Sequence, residues 1–209
     1  MMQLIAMVTM LIDHIGFIFS PHTDILRIIG RIAFPLYSWF LVQGYLHTRN
    51  HKKYMMRLLA LACISQVPYT LALQRFELNV IFTLLLSLLA LYAASRIASG
   101  TLRAAALGSI IAAAILVPMD YGIYGILLTF IYRYLRDWQM VAGHLLLNAA
   151  FFLASGGSQW LQLFSVLGTV IIVNPVPYRG TFFNKWVYRS FYPAHLLLLF
   201  GVSVLLERF

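Results

Sequence analysis

The chain has 209 residues, 62% of them hydrophobic and only 10% charged, with a mean hydropathy of +0.85. That composition excludes a soluble globular enzyme and indicates an integral membrane protein. Its net charge of +9 is accounted for by anionic lipid headgroups, without nucleic acid as a partner. Apolar runs consume nearly the whole length, so one all-α domain within the bilayer is expected, with no separate soluble domain of ordinary size.

Taken in order, the runs predict about nine transmembrane helices of roughly 16 to 22 residues, the length a bilayer demands. The first spans Met1 to Phe19. It lacks a basic n-region and a small-residue cleavage pattern, so it reads as a retained span and not a signal peptide. Inside it, Asp13 and His14 stand side by side. An ionisable group in hydrocarbon costs at least a few kcal/mol unless it faces a protein interior or a water-filled cavity, so both are functional candidates. The turn Ser20-Pro21-His22-Thr23-Asp24 leads to a second span, Ile25 to about Leu46, that carries Arg31.

A basic loop, His47 to Lys53, separates the third span, Tyr54 to Leu73. The fourth runs from Leu78 to Ala94, the fifth from beyond Arg103 to Val117, and the sixth from Tyr121 to Leu135. The seventh ends near Ala154 and the eighth near Val173, with Ser155-Gly156-Gly157-Ser158 between them. Asn174-Pro175-Val176-Pro177 and a basic-aromatic loop reach the ninth, about Tyr188 to Leu206.

Lys and Arg collect on the cytoplasmic side of short loops. With the N-terminus inside, the inner loops hold Arg49, Lys52, Lys53, Arg57, Arg96, Arg103, Arg133, Arg136, Arg179, Lys185 and Arg189, and the outer ends only Arg27, Arg75 and Arg208. The expected topology is a cytoplasmic N-terminus and an extracytoplasmic C-terminus. His14 and Arg31 then lie at similar depth, with Arg31 roughly 8 to 9 Å in from the outer end of its helix. Arg31 is expected to face the bundle and pair with Asp13. The alternative is a buried ion pair that only fixes helix packing.

In the last span, Tyr188, Tyr192 and His195 share a face at i, i+4, i+7 spacing, reaching in from the cytoplasmic half. Their bland reading is an interfacial tyrosine belt beside a packed histidine. Ser38, Gln43, Ser65, Gln66, Asn79, Thr83 and Thr129 suit interhelical hydrogen bonds. Cys63 has no CxxC partner and is expected to be a buried, inert thiol. His47 and His51 lack an acidic third ligand nearby, so no metal site is expected.

The segments Leu11-Ile12-Asp13-His14-Ile15, Gly30-Arg31-Ile32-Ala33-Phe34-Pro35-Leu36, His47-Thr48-Arg49, Ile64-Ser65-Gln66-Val67-Pro68-Tyr69, Leu78-Asn79-Val80-Ile81-Phe82-Thr83, Tyr121-Gly122-Ile123-Tyr124-Gly125 and Phe191-Tyr192-Pro193-Ala194-His195-Leu196, in this order over nearly the full chain, resemble the TraX family. That resemblance implies a bacterial inner-membrane protein linked to conjugation. The best-known member acetylates the pilin N-terminus. The family is similar to a wider group of transmembrane acyltransferases that pass an acyl group from cytoplasmic acyl-CoA to an acceptor, an implication that fold alone would not license.

The residues suit that chemistry. Imidazole titrates near neutral pH and can act as a base or attack a thioester itself, which makes His14 the candidate general base or acyl acceptor. Asp13 would support it, Arg31 would hold Asp13 or stabilise an oxyanion, and His195 and Tyr192 would position the thioester or assist the leaving thiolate. Arg49, Lys52, Lys53, Arg57, Arg179, Lys185 and Arg189 are candidates to hold the anionic nucleotide of acetyl-CoA. Gln66, Asn79, Tyr121 and Tyr124 are the candidate substrate-binding groups. The acceptor would be pilin or a cell-envelope glycan, and homo-oligomerisation is compatible with this reading. The rival classes are a proton-coupled transporter, with Asp13, His14 and Arg31 as a relay, and a non-catalytic pilus or conjugation assembly factor.

Overall fold

The computed structural model describes residues 1–174 and 185–206, the second stretch with side chains from residue 187 onward. Every regular element among them is helical. They are α1 (Met2–Phe19), α2 (Asp24–Gly30), α3 (Ala33–His47), α4 (His51–Leu73), α5 (Val80–Arg96), α6 (Gly100–Leu116), α7 (Gly122–Tyr134), α8 (Trp138–Ala154), a 3-10 helix (Trp160–Ser165), α9 (Val166–Val173) and α10 (Lys185–Leu206). Taking α2 with α3, and the 3-10 helix with α9, these follow the nine expected runs. Met2–Phe19, Asp24–His47, His51–Leu73 and Val187–Leu206 are each long and apolar enough to cross a membrane. Large apolar side chains remain uncovered on the outer faces, among them Leu116, Leu146 and Leu153 at 78%, 72% and 75% exposure. Such faces suit lipid, where backbone groups must be satisfied within the helix.

Several boundaries differ from the sequence expectation, each for a local reason. The second run breaks at Arg31 and Ile32 because Pro35 has no N–H to offer the Arg31 carbonyl and its ring crowds that position. Ile32 N–H turns instead to the Ile29 carbonyl, at 3.3 Å. The third run starts at His51, three residues early, because Asn50 Oδ1 accepts the Lys53 N–H at 2.8 Å and caps the helix. The fifth begins at Gly100, where Ser99 Oγ accepts the Leu102 N–H. Cys63, expected to be buried, is exposed.

The chain forms two compact units, one comprising Met1–Tyr37, Val67–Arg75 and Leu135–Phe209, the other Ser38–Gln66 and Phe76–Tyr134. In the second, α5 packs on α6 and α7 around Ala90, Ala114 and Ile126. The turns before α5 and α7 pair through Leu78 N–H to the Pro118 carbonyl, at 2.9 Å, and Asp120 N–H to the Leu78 carbonyl, at 3.0 Å. The chain then enters α7 through Tyr121 and Gly122 at φ of 66° and 42°.

In the first unit, α1 packs against α2 and α10, and the 3-10 helix against α2 and α8. Two glycines permit the approaches. A Cβ at Gly30 would overlap the Cβ and carboxyl of Asp13, and one at Gly168 would sit 2.8 Å from the Ile32 carbonyl oxygen and 2.9 Å from Pro35 Cβ. Overpacking of this kind costs about 1–3 kcal/mol. Gly30→Ala is therefore expected to lower the thermal midpoint of the detergent-solubilised protein, as read by intrinsic fluorescence. Gly201→Ala, where a Cβ meets nothing within 4 Å, is expected to leave it unchanged.

Candidate active site

The site lies in the first unit, at the junction of α1, α2, α10 and the 3-10 helix. Along α1, Ala6, Met7, Met10 and His14 are buried, the i, i+3/i+4 stripe of a core-facing side. His14 therefore points into the unit at 9% exposure. Asp13, one residue earlier and about 100° round the helix, faces α2. There Arg27 and Arg31, four residues apart, reach it together. Arg31 Nη2 donates to both carboxylate oxygens, at 3.1 and 3.4 Å, and Arg27 Nε lies 3.3 Å from Oδ1. Arg27 also stands over the Phe17 ring at 4.9 Å, and Arg75 over the same ring at 4.8 Å.

His14 and His195 share a hydrogen bond, Nδ1 to Nε2, at 2.7 Å, with their rings nearly parallel and 5.0 Å apart. The second nitrogen of His195 assigns the protons. Its Nδ1 lies 2.6 Å from the Phe191 carbonyl oxygen, which can only accept, so His195 Nδ1 carries the hydrogen. In the neutral ring, His195 Nε2 is then an acceptor, and His14 Nδ1 donates to it. His14 Nε2 is left with an in-plane lone pair. The pair is thus a base held by a second base, with a backbone carbonyl setting the tautomer.

Tyr192 packs edge-on against both rings, 6.2 Å from His14 and 5.7 Å from His195, and Phe191 stacks on His195 at 4.6 Å. His195 and Phe191 are one helical turn apart, which is what brings the imidazole onto that carbonyl.

A second set of polar groups, which the sequence reading missed, adjoins the first. Gln162, on the 3-10 helix and 7% exposed, accepts from Arg31 Nη1 through Oε1 at 3.5 Å, the long limit of a hydrogen bond. Its backbone carbonyl accepts from Ser165 Oγ at 2.6 Å. Ser165 Oγ in turn accepts from Asn148 Nδ2 at 3.2 Å and lies 3.0 Å from His144 Nε2. His144 Nδ1 lies 2.5 Å from Thr169 Oγ1. All four supporting residues are at most 1% exposed. A buried polar network satisfied in this way is rigid, and it holds the 3-10 helix against α8. Arg27 had a signal in its i, i+4 relation to Arg31. Gln162 had none, because the partner of its side chain, Arg31, is 131 residues away in sequence.

The structure brings together His14, Asp13, Arg31, His195 and Tyr192 of the expected site, with a redistribution of roles. Asp13 engages the two arginines, and the partner of His14 is His195. The other candidates lie elsewhere. Gln66 Oε1 accepts from Asn79 N–H and Nδ2 at 3.1 and 2.9 Å, and Gln66 Nε2 donates to the Glu77 carbonyl at 3.0 Å. Asn79 Oδ1 caps α5 through the Ile81 N–H at 3.0 Å. These two amides hold the 77–79 turn. Tyr121 and Tyr124 pack ring to ring at 6.1 Å, Tyr124 being buried. Arg49, Lys52, Lys53, Arg57 and Arg189 are exposed. Arg179 and the Lys185 side chain lie outside the described residues.

Removing the Asp13 charge leaves two guanidinium groups uncompensated in an apolar setting, a loss of about 3 kcal/mol or more. Asp13→Asn is expected to lower the thermal midpoint sharply. Arg27→Gln should lower it less, because Arg31 keeps its two contacts. Equal losses in the two variants would contradict this ranking.

With the geometry in hand, comparison with known proteins gives a consistent family. The model of the family described as TraX protein matches residues 1–203. The chain is 30% identical to the probable fimbrial assembly protein FimC, serogroup H1, of Dichelobacter nodosus over 240 aligned positions, covering 99% of this chain and 96% of that protein. It is 34% identical to an uncharacterized protein of Rickettsia prowazekii (strain Madrid E) over 76 positions, 36% of this chain and 29% of that protein. No solved structure matches. The matched residues include the whole junction around His14 and His195, and the chain belongs to the TraX protein family.

Proposed function

We propose that this chain is a bacterial inner-membrane acyltransferase that moves an acetyl group from acetyl-CoA to an amine or hydroxyl acceptor, with His14 as its base. The observation that carries this reading is the His14–His195 hydrogen bond, with Phe191 fixing the tautomer and leaving His14 Nε2 as an oriented lone pair. A histidine buried only for packing has both ring nitrogens hydrogen-bonded, as His144 has, whereas His14 bonds through Nδ1.

In direct transfer, the acceptor nitrogen attacks the thioester carbonyl carbon while His14 Nε2 takes the proton that the nitrogen gives up. The carbonyl π pair moves onto oxygen, and the charge of Arg31, held by Asp13 beside the base in sequence, favours that oxyanion. When the oxyanion collapses, the C–S bond breaks, sulfur leaves with its electron pair, and the His14 imidazolium returns the proton to it. The products are an amide and the free thiol of CoA. His195, by accepting from His14 Nδ1, stabilises the positive charge that forms there.

The anionic nucleotide of CoA requires cations. In the first unit, exposed Arg189 lies about 9 Å along α10 from His195; in the second, Arg49, Lys52, Lys53 and Arg57 are exposed. Their clustering in predicted inner loops supports a cytoplasmic donor site, a cytoplasmic N-terminus and an extracytoplasmic C-terminus. The name of the Dichelobacter relative, a fimbrial assembly protein, favours a subunit of a surface fibre as acceptor and a role connected with pili or conjugation.

Purified protein in nanodiscs, given acetyl-CoA and a peptide amine, is expected to release CoA thiol with stoichiometric acetylation of the peptide. His14→Ala should reduce both by about 10²-fold or more, the usual share of a positioned base, while the fold is retained by circular dichroism. An Arg49, Lys52, Lys53 triple alanine variant should raise the KM for acetyl-CoA with a smaller change in kcat. Wild-type protein that is folded and neither binds acetyl-CoA nor releases thiol would refute the reading.

A further inference from the structure

Gln162 presents an amide whose two ends are treated differently. Oε1 is held by Arg31 at 3.5 Å. Nε2 is buried and has no hydrogen-bond partner among the described residues, although the residue is only 7% exposed. The O and N positions follow from chemistry, since only oxygen can accept from a guanidinium. An unsatisfied buried donor is destabilising, and the fold carries that cost here.

The surroundings make the cost unlike a packing accident. Gln162 is anchored through its own carbonyl by Ser165, and Ser165 by Asn148 and His144, in a network whose other groups are satisfied. Gly168 lets the following helix close on Ile32 and Pro35, beside the helix break that carries Arg31. The fold thus fixes the Gln162 amide two hydrogen bonds from Asp13, the residue next to His14. The guanidinium on Oε1 draws electron density from the amide and strengthens the N–H groups as donors.

We infer that Gln162 is a substrate-contacting residue whose Nε2–H binds the carbonyl oxygen of the acyl group and the oxyanion that forms from it. This assignment rests on the acyl-transfer reading and deepens it, placing the donor for developing negative charge on the 3-10 helix while the base stands on α1. The electron balance is that of the transfer itself. The carbonyl π pair moves onto the oxygen held by Nε2–H as the acceptor bond forms, then returns as the C–S bond breaks, and Gln162 keeps its protons throughout. A donor that meets charge only in the transition state affects kcat more than KM.

The test uses the full chain in nanodiscs with acetyl-CoA and a peptide amine. Gln162→Met removes the donor together with the Oε1 acceptor at similar volume, and Gln162→Glu keeps an acceptor for Arg31 while removing the donor. Both are expected to lower kcat by about 10²-fold, the usual cost of one oxyanion donor, with little change in KM for acetyl-CoA. Gln162→Glu, which keeps the contact with Arg31, should also keep the thermal midpoint, so that its loss of rate is not a loss of fold. Wild-type rates in either variant, or a fall in midpoint that parallels the loss of rate in Gln162→Glu, would overturn the assignment and leave acyl transfer standing. Absence of transfer by folded wild type would remove both.

Discussion

A carboxylate set among apolar helices is stable only if opposite charge meets it there, and the pairing of Asp13 with Arg27 and Arg31 is the constraint that organises the first unit. Arg31 grips both oxygens and Arg27 one of them. Bringing two guanidinium groups to one carboxylate requires α2 to lie tightly on α1, which Gly30 permits by having no side chain over Asp13. It also requires the chain to turn after Arg31, which Pro35 enforces from the next helix. The short α2, the break and the glycine are thus consequences of one electrostatic demand. Phe17, flanked by Arg27 and Arg75, spreads the remaining positive charge over a ring face.

The same arrangement leaves His14 outside the ion pair. Because neighbouring residues on a helix diverge, Asp13 cannot serve both the arginines and the imidazole. His14 is instead oriented by His195 and, through it, by a carbonyl one turn away on α10. Two histidines and a carbonyl are arranged here as the carboxylate and histidine are in hydrolytic triads: the outer group sets the tautomer and the inner ring keeps a lone pair on its far nitrogen. A neutral partner suits a site in which an additional anion would need its own cation. Arg31 reaches Gln162 as well as Asp13.

Much of this was legible in the sequence, and for a definable reason. Asp13, His14, Arg31 and His195 are polar residues inside runs that must lie in hydrocarbon, so each advertised itself against an apolar background. The helical pattern was equally visible, down to the turn at 155–158. Contacts that depend on distant partners were not. Nothing in the run around Gln162 distinguishes an amide that meets Arg31 from one that bonds any neighbouring helix. The partner of His14 required knowing that α10 packs on α1. The break after Arg31 was readable from Pro35 but was masked by the unbroken hydropathy of the run, and the polar face of the His47–Lys53 loop concealed the cap that Asn50 gives to α4.

The claim on which the account turns is that His14 offers an unprotonated Nε2. It is tested most directly by ¹⁵N NMR of the protein labelled at histidine, with His14 assigned by the signal lost in His14→Gln. The account predicts that His14 carries its proton on Nδ1 and shows Nε2 as an unprotonated, acceptor-type nitrogen. It also predicts a scalar coupling across the hydrogen bond from His14 Nδ1 to His195 Nε2. A protonated His14 Nε2 in the neutral ring, or no coupling between the two histidines, would contradict it.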